Sequence, residues 1–143
     1  EGGQLRLVDF GLAKDESQGE LTRTGEVAGT PHYMSPEQAR ARRRTIDHRT
    51  DVYSLGVVLY EMLALERPFE GQSAEEVMTL ILREEPRPVR RRNPRVPRDL
   101  ALISLRALEK NPAQRYASAR ELVGTLAAPE GQRGPAPLQE YAS

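Results

Sequence analysis

The sequence predicts a mainly α-helical fold, and three observations lead to this prediction. Residues 51–65 carry apolar side chains on nearly every face of a helix, which is typical of a helix surrounded by protein. Ser73 and Ser118 each precede a glutamate by three residues, which is the spacing of a capping box at a helix start. Apolar residues recur at helical spacing after Ser73 and again over residues 99–108. We therefore expect several helices packed around residues 51–65.

Composition limits the possible functions. The chain has 21 basic and 21 acidic side chains, so no overall field attracts nucleic acid or an anionic membrane. It has no cysteine, which excludes disulfides, thiolate metal sites and cysteine nucleophiles. The apolar run at 51–65 is shorter than the ~20 residues that a membrane span requires, and no signal peptide is apparent. The first residue is Glu1 and not methionine, and we expect the chain to be part of a longer polypeptide.

The first third of the chain predicts a strand followed by a long loop. Leu5 to Val8 is a short β-prone run, and it stops at a glycine-containing turn, Asp9-Phe10-Gly11. Residues 12–30 are polar and show no sustained period. Loops of this length inside compact domains are usually functional or disordered. A plain disordered linker is the alternative, and the ordered character of residues 29–37 argues against it.

A short helix is predicted next, with Ser35 as its cap and Pro36 at its first position. We expect it to end near Arg44. Several arginines lie near that end, and they are either a solvated helix terminus or a docking site for a phosphate. These are Arg40, Arg42, Arg43 and Arg44.

The second half predicts three further helices. One begins at Ser73, with Val77, Leu80 and Ile81 in its apolar stripe, one covers 99–108, and one runs from Ser118 to about Ala127. The intervening segment 85–98 holds four prolines and six arginines and is predicted to be an extended surface loop. Its arginines favour a solubilising role over nucleic-acid binding, because no aromatic residues lie between them to stack on bases.

Four motifs, in order and at the expected spacing, resemble eukaryotic-type Ser/Thr protein kinases, particularly the bacterial branch. They are Val8-Asp9-Phe10-Gly11-Leu12-Ala13-Lys14, Gly29-Thr30-Pro31-His32-Tyr33-Met34-Ser35-Pro36-Glu37, Asp51-Val52-Tyr53-Ser54-Leu55-Gly56 and Lys110-Asn111-Pro112-Ala113-Gln114-Arg115-Tyr116. The likeness covers about Leu5 to Leu126. It implies the helical C-terminal lobe of the α+β kinase fold, with a short β remnant before the DFG motif and no N-terminal lobe. Residues 1–128 would form this partial domain and 129–143 a flexible tail or linker.

The resemblance assigns roles in the first two motifs. Asp9 matches the magnesium-binding aspartate of phosphoryl transfer, although a simple turn aspartate is the alternative. Phe10 would pack behind Asp9, and Gly11 completes the start of the activation segment. Thr22 and Thr24 match positions where many family members are phosphorylated, a change that can order such a loop; the alternative is that neither is modified.

Later motifs match residues with substrate-facing and structural roles. Thr30 resembles the threonine that faces the substrate and favours Ser or Thr acceptors. Glu37 and Arg115 match a buried ion pair, and removal of either partner would strand a charge at a cost of roughly 3–5 kcal/mol. Asp51 resembles the aspartate that accepts backbone N–H bonds from the catalytic loop, and it can also compensate the helix dipole.

The segment His48-Arg49-Thr50-Asp51 looks superficially like the His-Arg-Asp catalytic signature. It has an extra threonine and follows the activation segment, whereas the true signature precedes the DFG motif. We therefore reject a catalytic role for these four residues.

Several parts of a complete kinase have no counterpart in this chain. These are the glycine-rich loop, the strand lysine with its glutamate partner, and the catalytic-loop aspartate and asparagine. We therefore expect the parent protein to transfer the ATP γ-phosphate, with Mg²⁺, to protein Ser or Thr hydroxyls. This chain alone should be inactive and should bind neither ATP nor Mg²⁺ tightly.

The expected partners are protein substrates and the upstream lobe of the same polypeptide. We expect no nucleic acid, a cytoplasmic location for the kinase part, and a membrane anchor only if a segment outside this chain supplies it. The alternative function is a noncatalytic, pseudokinase-like scaffold, although Asp9 and Thr30 count against it. An arginine-rich nucleic-acid binder is disfavoured by the zero net charge and the lack of a recognition motif.

Overall fold

The computed structural model describes residues 31–40 and 46–133. Within these ranges every regular element is helical, which confirms the predicted mainly α-helical architecture. The predicted strand over residues 5–8, the loop over 12–30 and the end of the predicted tail lie outside the described residues. The elements are a 3-10 turn Pro31–Tyr33, α1 Pro36–Ala39, α2 Arg49–Ala64, α3 Ala74–Arg83, α4 Val89–Arg92, α5 Arg98–Ala107, a second 3-10 turn Pro112–Gln114 and α6 Ala119–Ala127.

Helix α2 lies at the centre, as its apolar composition predicts. It contacts the first 3-10 turn, α4, α5 and α6. Two core clusters meet it on different sides. Tyr53, Val57 and Tyr60 pack with residues of α3 and α4, including Ile81 and Val89, as one cluster. The second cluster joins α2 to α5 and α6, and its buried members are Val52, Ile103, Ala107, Tyr116 and Leu122.

The expectation that α2 is enclosed on every face is wrong at its C-terminal end, as far as the described residues show. Met62 is 70% exposed and Leu65 is 82% exposed. Leu65 also adopts a left-handed backbone conformation with φ 62° and caps the helix, so α2 ends at Ala64 and not at Leu65. The helix therefore presents an uncovered apolar end beside the two core clusters.

Three other local predictions need correction or refinement. Helix α1 ends at Ala39, with Arg40 as its C-cap, and not near Arg44. The Ser73 and Ser118 hydroxyls do cap their helices by accepting from the N–H groups three residues later. The glutamates at those positions complete no reciprocal box, because each accepts from the residue before its serine, Gln72 N–H or Ala117 N–H, at 2.7 Å.

The proline- and arginine-rich segment 85–98 is not wholly extended. It contains the single turn of α4, which begins after Pro88. Val89 and Val96 are buried, at 0% and 6% exposure, so the segment packs onto the core through these two side chains. Within the described residues no helix is long and apolar enough to cross a bilayer.

Helices α2 and α5 approach closely at Gly56. A Cβ atom placed on Gly56 would lie 2.6 Å from the Cβ of Ala107 and 3.2 Å from its carbonyl carbon. The second contact is with the backbone, which a rotamer change cannot relieve. The absence of a side chain at Gly56 therefore sets the separation of these two helices.

Substitution of Gly56 by Ala should destabilise the chain by about 1–3 kcal/mol through overpacking, despite the gain in helix propensity. The matched control is Gly124→Ala in α6, where nothing lies within 4 Å of an added Cβ. That variant should gain up to ~1 kcal/mol. Urea unfolding of both variants measures the difference, and equal stabilisation of the two would contradict the close approach at Gly56.

Candidate functional site

The best-defined polar site in the described residues is built around Glu37, in the first turn of α1. Ser35 precedes this helix in an extended conformation and Pro36 occupies its first position. Ser35 and Gln38 form a reciprocal capping box, with Gln38 N–H to Ser35 Oγ at 3.3 Å and Ser35 N–H to Gln38 Oε1 at 2.9 Å. This box fixes the turn from which the Glu37 carboxylate extends into the interior.

Arg115 reaches Glu37 from the opposite end of the described chain. It follows the 3-10 turn Pro112–Gln114, which Asn111 caps through its side-chain oxygen. The guanidinium meets the carboxylate in a bidentate arrangement, with Nη1–Oε1 at 2.6 Å and Nη2–Oε2 at 2.8 Å. The two side chains are only 0% and 5% exposed. The site thus contains a fully desolvated ion pair.

The other polar atoms of this ion pair are also satisfied. Arg115 donates from Nε to the Glu109 carbonyl at 2.7 Å, from Nη1 to the Arg49 carbonyl at 3.0 Å and from Nη2 to the Lys110 carbonyl at 3.3 Å. With the two bonds to Glu37, these contacts use every N–H donor of the guanidinium. The Thr50 hydroxyl donates to Glu37 Oε1 at 2.8 Å. Such complete hydrogen bonding is the condition under which a buried ion pair is tolerated.

The electrostatics favour an ionised Glu37. Burial alone would raise the pKa of its carboxyl group, but hydrogen bonds from Arg115, from its own backbone N–H and from Thr50 outweigh that effect. The net result is a pKa below the ordinary glutamate value. Tyr53 packs against the same pair, with its ring centroid 5.0 Å from the Arg115 guanidinium carbon. Burial raises the pKa of the Tyr53 hydroxyl, which therefore stays neutral.

The segment 48–51 connects this ion pair to the start of α2. His48 Nε2 donates to the Ala117 carbonyl at 2.6 Å, the Arg49 carbonyl accepts from Arg115, and the Thr50 hydroxyl binds Glu37. Asp51 lies half-buried in the first turn of α2, where a negative charge suits the helix dipole. The His-Arg-Thr-Asp sequence therefore lies at a packed junction of α1, α2 and the turn before α6.

A second polar network lies at Tyr33, the last residue of the first 3-10 turn, and sequence reasoning missed it. The Tyr33 hydroxyl donates to Glu61 Oε2 at 2.7 Å, and the Ser54 hydroxyl donates to the Tyr33 carbonyl at 2.9 Å. The hydrogen bond to Glu61 is the main reason why the pKa of Tyr33 is raised. The Nε atom of Arg67 lies 3.9 Å from Glu61 Oε1. The available signals were Ser54 and Glu61, the two polar side chains that interrupt the apolar run over residues 52–65.

Comparison with known proteins identifies the family. The profile of the protein kinase domain matches residues 1–125. The chain belongs to the protein kinase family. Together with the bacterial relatives described next, this match confirms the predicted resemblance to bacterial Ser/Thr kinases.

Three bacterial kinases illustrate the similarity. The serine/threonine-protein kinase pkn3 of Myxococcus xanthus is 44% identical over 135 residues, which cover 90% of this chain and 24% of that protein. The serine/threonine-protein kinase PknB of Mycolicibacterium smegmatis is 44% identical over 136 residues, which cover 93% of this chain and 21% of that protein. The tyrosine-protein kinase MasK of Myxococcus xanthus is 41% identical over 124 residues, which cover 87% of this chain and 19% of that protein. The chain thus spans a quarter or less of the length of these relatives.

The structure describes only part of the kinase residues predicted from the sequence. Glu37 and Arg115 are in direct contact, and Asp51 lies one residue after Thr50, which binds the same carboxylate. The remaining predicted site residues lie outside the described part of the kinase chain. In residues 31–40 and 46–133 no group of three or more His, Asp or Glu side chains could hold a metal ion. The residues outside the description are Asp9, Phe10, Gly11, Thr22, Thr24 and Thr30.

The Glu37 carboxylate should make the stability of the chain depend on pH in a defined direction. Its pKa is lower in the folded state than the ordinary value of ~4.3, so its contribution is complete above that value and is lost as the pH falls through the folded pKa. Glu37→Gln should cost about 3 kcal/mol near pH 7, because Arg115 would keep an uncompensated buried charge. The free-energy difference from the unsubstituted chain should shrink below about pH 4.

Denaturant unfolding at a series of pH values measures this difference. The control is Glu130→Gln at an exposed position, whose difference from the unsubstituted chain should stay within about 0.5 kcal/mol at every pH. A penalty for Glu37→Gln that grew on acidification would mean that the Glu37 pKa is raised and not lowered.

Proposed function

We propose that the intact protein is a serine/threonine protein kinase that transfers the γ-phosphate of ATP to hydroxyl groups of protein substrates. The observation that carries this proposal is the kinase-domain match over residues 1–125, which includes the Asp9-Phe10-Gly11 motif. In this proposal, residues 1–128 supply the activation segment and helical part of the domain. Residues 129–143 form a tail or linker. The chain alone lacks the ATP-binding lysine, the glycine-rich loop and the catalytic aspartate, and is inactive by itself.

The proposed chemistry assigns a charge-stabilising role to Asp9. In the intact protein its carboxylate would hold Mg²⁺, which would supply positive charge beside the phosphates of ATP. By resemblance to the family, Phe10 is proposed to pack behind Asp9, and Gly11 to allow the turn into the activation segment. Thr22 and Thr24 are proposed phosphorylation sites, where added negative charge orders the segment against arginines.

The Glu37–Arg115 pair has a mechanical role in this proposal. It joins the end of the activation segment, at α1, to the turn before α6, and neither side chain takes part in the chemistry. Support comes from the burial of both side chains and from the bond between Arg115 and the Arg49 carbonyl at the start of α2. Asp51, in the next turn of that helix, is proposed to hold the catalytic loop of the intact kinase.

The proposal also specifies which hydroxyl group accepts the phosphate. This choice needs its own argument, because the relatives include both serine/threonine kinases and a tyrosine kinase by name. Pkn3 and PknB are named serine/threonine-protein kinases and MasK is named a tyrosine-protein kinase. Thr30 supports Ser and Thr acceptors, since it resembles the threonine that faces the substrate in Ser/Thr kinases. Acid hydrolysis of the labelled product and separation of the phosphoamino acids tests this choice, with phosphoserine or phosphothreonine expected.

In the full-length protein, Asp9→Asn should lower phosphate transfer at least about a hundredfold, since a metal-held charge contributes several kcal/mol to the transition state. The measurement is incorporation of label from ATP into a generic basic protein. Glu130→Gln, at an exposed position, is the control and should retain full activity. The isolated 143-residue chain should show no incorporation above background.

Each part of the proposal has its own contradicting result. Transfer by the isolated chain at the rate of the full-length protein would refute its proposed inactivity. A full-length protein that folds and binds partners but transfers no phosphate would support the scaffold alternative instead. Phosphotyrosine as the only product would overturn the proposed acceptor and leave the kinase assignment intact.

A further inference from the structure

A set of arginines on the described surface has no part in the proposed function. The segment 85–98 carries six arginines, and all six are exposed. Among them, Arg92 has an ion-pair partner within the described residues, the carboxylate of Glu66. We call these six residues the arginine surface. They are Arg87, Arg90, Arg91, Arg92, Arg95 and Arg98.

The backbone that bears the arginine surface is fixed to helix α2. The Tyr60 hydroxyl donates to the Arg87 carbonyl at 2.7 Å, and the Asn93 side-chain amide donates to the Leu63 carbonyl at 3.0 Å. Val89 and Val96 anchor the same segment in the core. The two valines are buried whereas the six arginines are exposed, so the segment presents its charges to solvent. The backbone positions that carry these charges are therefore fixed, and binding through them needs little further ordering of the backbone.

Three of the charges are poorly placed to bind one compact ligand together. Arg90, Arg91 and Arg92 are consecutive residues of α4, so their side chains leave the helix about 100° apart and do not converge on one phosphate. Segment 85–98 has no aromatic residue to stack on nucleic-acid bases. Helix α4 has four residues, too few to read a DNA groove as recognition helices do.

An acidic peptide is also a poor fit beside this surface. The neighbouring cavity, of about 350 Å³, is lined by four glutamates as well as by Arg67, Arg87 and Arg92. A peptide that extended from the arginines into this cavity would meet carboxylates of its own sign. The glutamates are Glu66, Glu70, Glu84 and Glu85.

We propose that the arginine surface binds the anionic headgroup plane of a lipid bilayer. A bilayer offers negative charge over an extended plane, so arginines that do not converge on one point can still bind separate headgroups. The apolar side chains of the segment, Val89 and Val96, face the core, so binding is electrostatic and needs no insertion. The attraction is local, since the chain has no net charge and the Debye length is ~8 Å at physiological salt. Each arginine near the surface should raise the affinity about fivefold.

The test is co-sedimentation of the 143-residue chain with vesicles of phosphatidylcholine alone or mixed with phosphatidylglycerol. The chain should bind only the anionic vesicles, and binding should fall as salt is added. The triple variant Arg90→Gln, Arg91→Gln and Arg95→Gln should bind about a hundredfold more weakly. The corresponding triple Lys variant should bind like the unsubstituted chain, because a lipid surface responds to charge and not to the bidentate geometry of arginine.

The charge-matched control is Arg40→Gln, Arg83→Gln and Arg120→Gln, three exposed arginines outside segment 85–98. It should retain most of the binding. Circular dichroism establishes whether every variant keeps its helices. If a triple variant unfolds, the single Arg91→Gln variant is measured in its place, with an expected fivefold loss of vesicle affinity.

Four results would overturn the proposal. The first is undiminished binding by the triple Gln variant, and the second is equal loss in the control. The third is loss of binding in the triple Lys variant, which would indicate recognition of a discrete phosphate. Tighter binding to polyglutamate or to duplex DNA than to anionic vesicles would assign the surface to another polyanion and would also overturn it.

Discussion

The buried contact between Glu37 and Arg115 is the constraint on which the rest of the described structure depends. It joins residues 78 positions apart in the sequence and closes the described chain upon itself. Arg115 also donates to the carbonyl groups of Arg49, Glu109 and Lys110. One guanidinium therefore joins the start of α2 to the segment that follows α5. A buried pair of this kind adds little net stability, but loss of one partner is costly. It therefore specifies an arrangement more than it stabilises one.

Helix α2 is the element that this constraint positions. Its N-terminal turn lies at the ion pair, its middle lies against α5 at Gly56, and its last turns support the segment that bears the arginine surface. The two ends contribute to different proposals. The N-terminal end contributes to the proposed anchoring of the activation segment in a kinase. The C-terminal end contributes to the proposed attachment to a membrane surface. Both depend on the same rigid helix, because each requires side chains held at fixed positions.

Local signals predicted the helices well and their partners poorly. The apolar run around Val57 and the serines at positions 73 and 118 marked helices that the structure contains, because propensity and capping act over a few residues. The hydrogen bond between Tyr33 and Glu61 and the close approach at Gly56 depend on residues far apart in the sequence, and no periodicity reports them. Motif resemblance supplied Glu37 and Arg115, which spacing alone would not have paired. The one-turn helix α4 was missed because the prolines on either side of it, Pro88 and Pro94, outweighed the signal of the buried anchor Val89.

A double-mutant cycle on Glu37 and Arg115 tests the central claim most directly. The free energy of unfolding is measured for the unsubstituted chain, Glu37→Gln, Arg115→Met and the double variant. If the pair is a specifying constraint, each single variant is strongly destabilised and the double variant recovers part of the loss, with a coupling energy of about 1.5–3 kcal/mol. Additive effects, with a coupling energy near zero, would mean that the two side chains act independently and that the described fold does not depend on their contact.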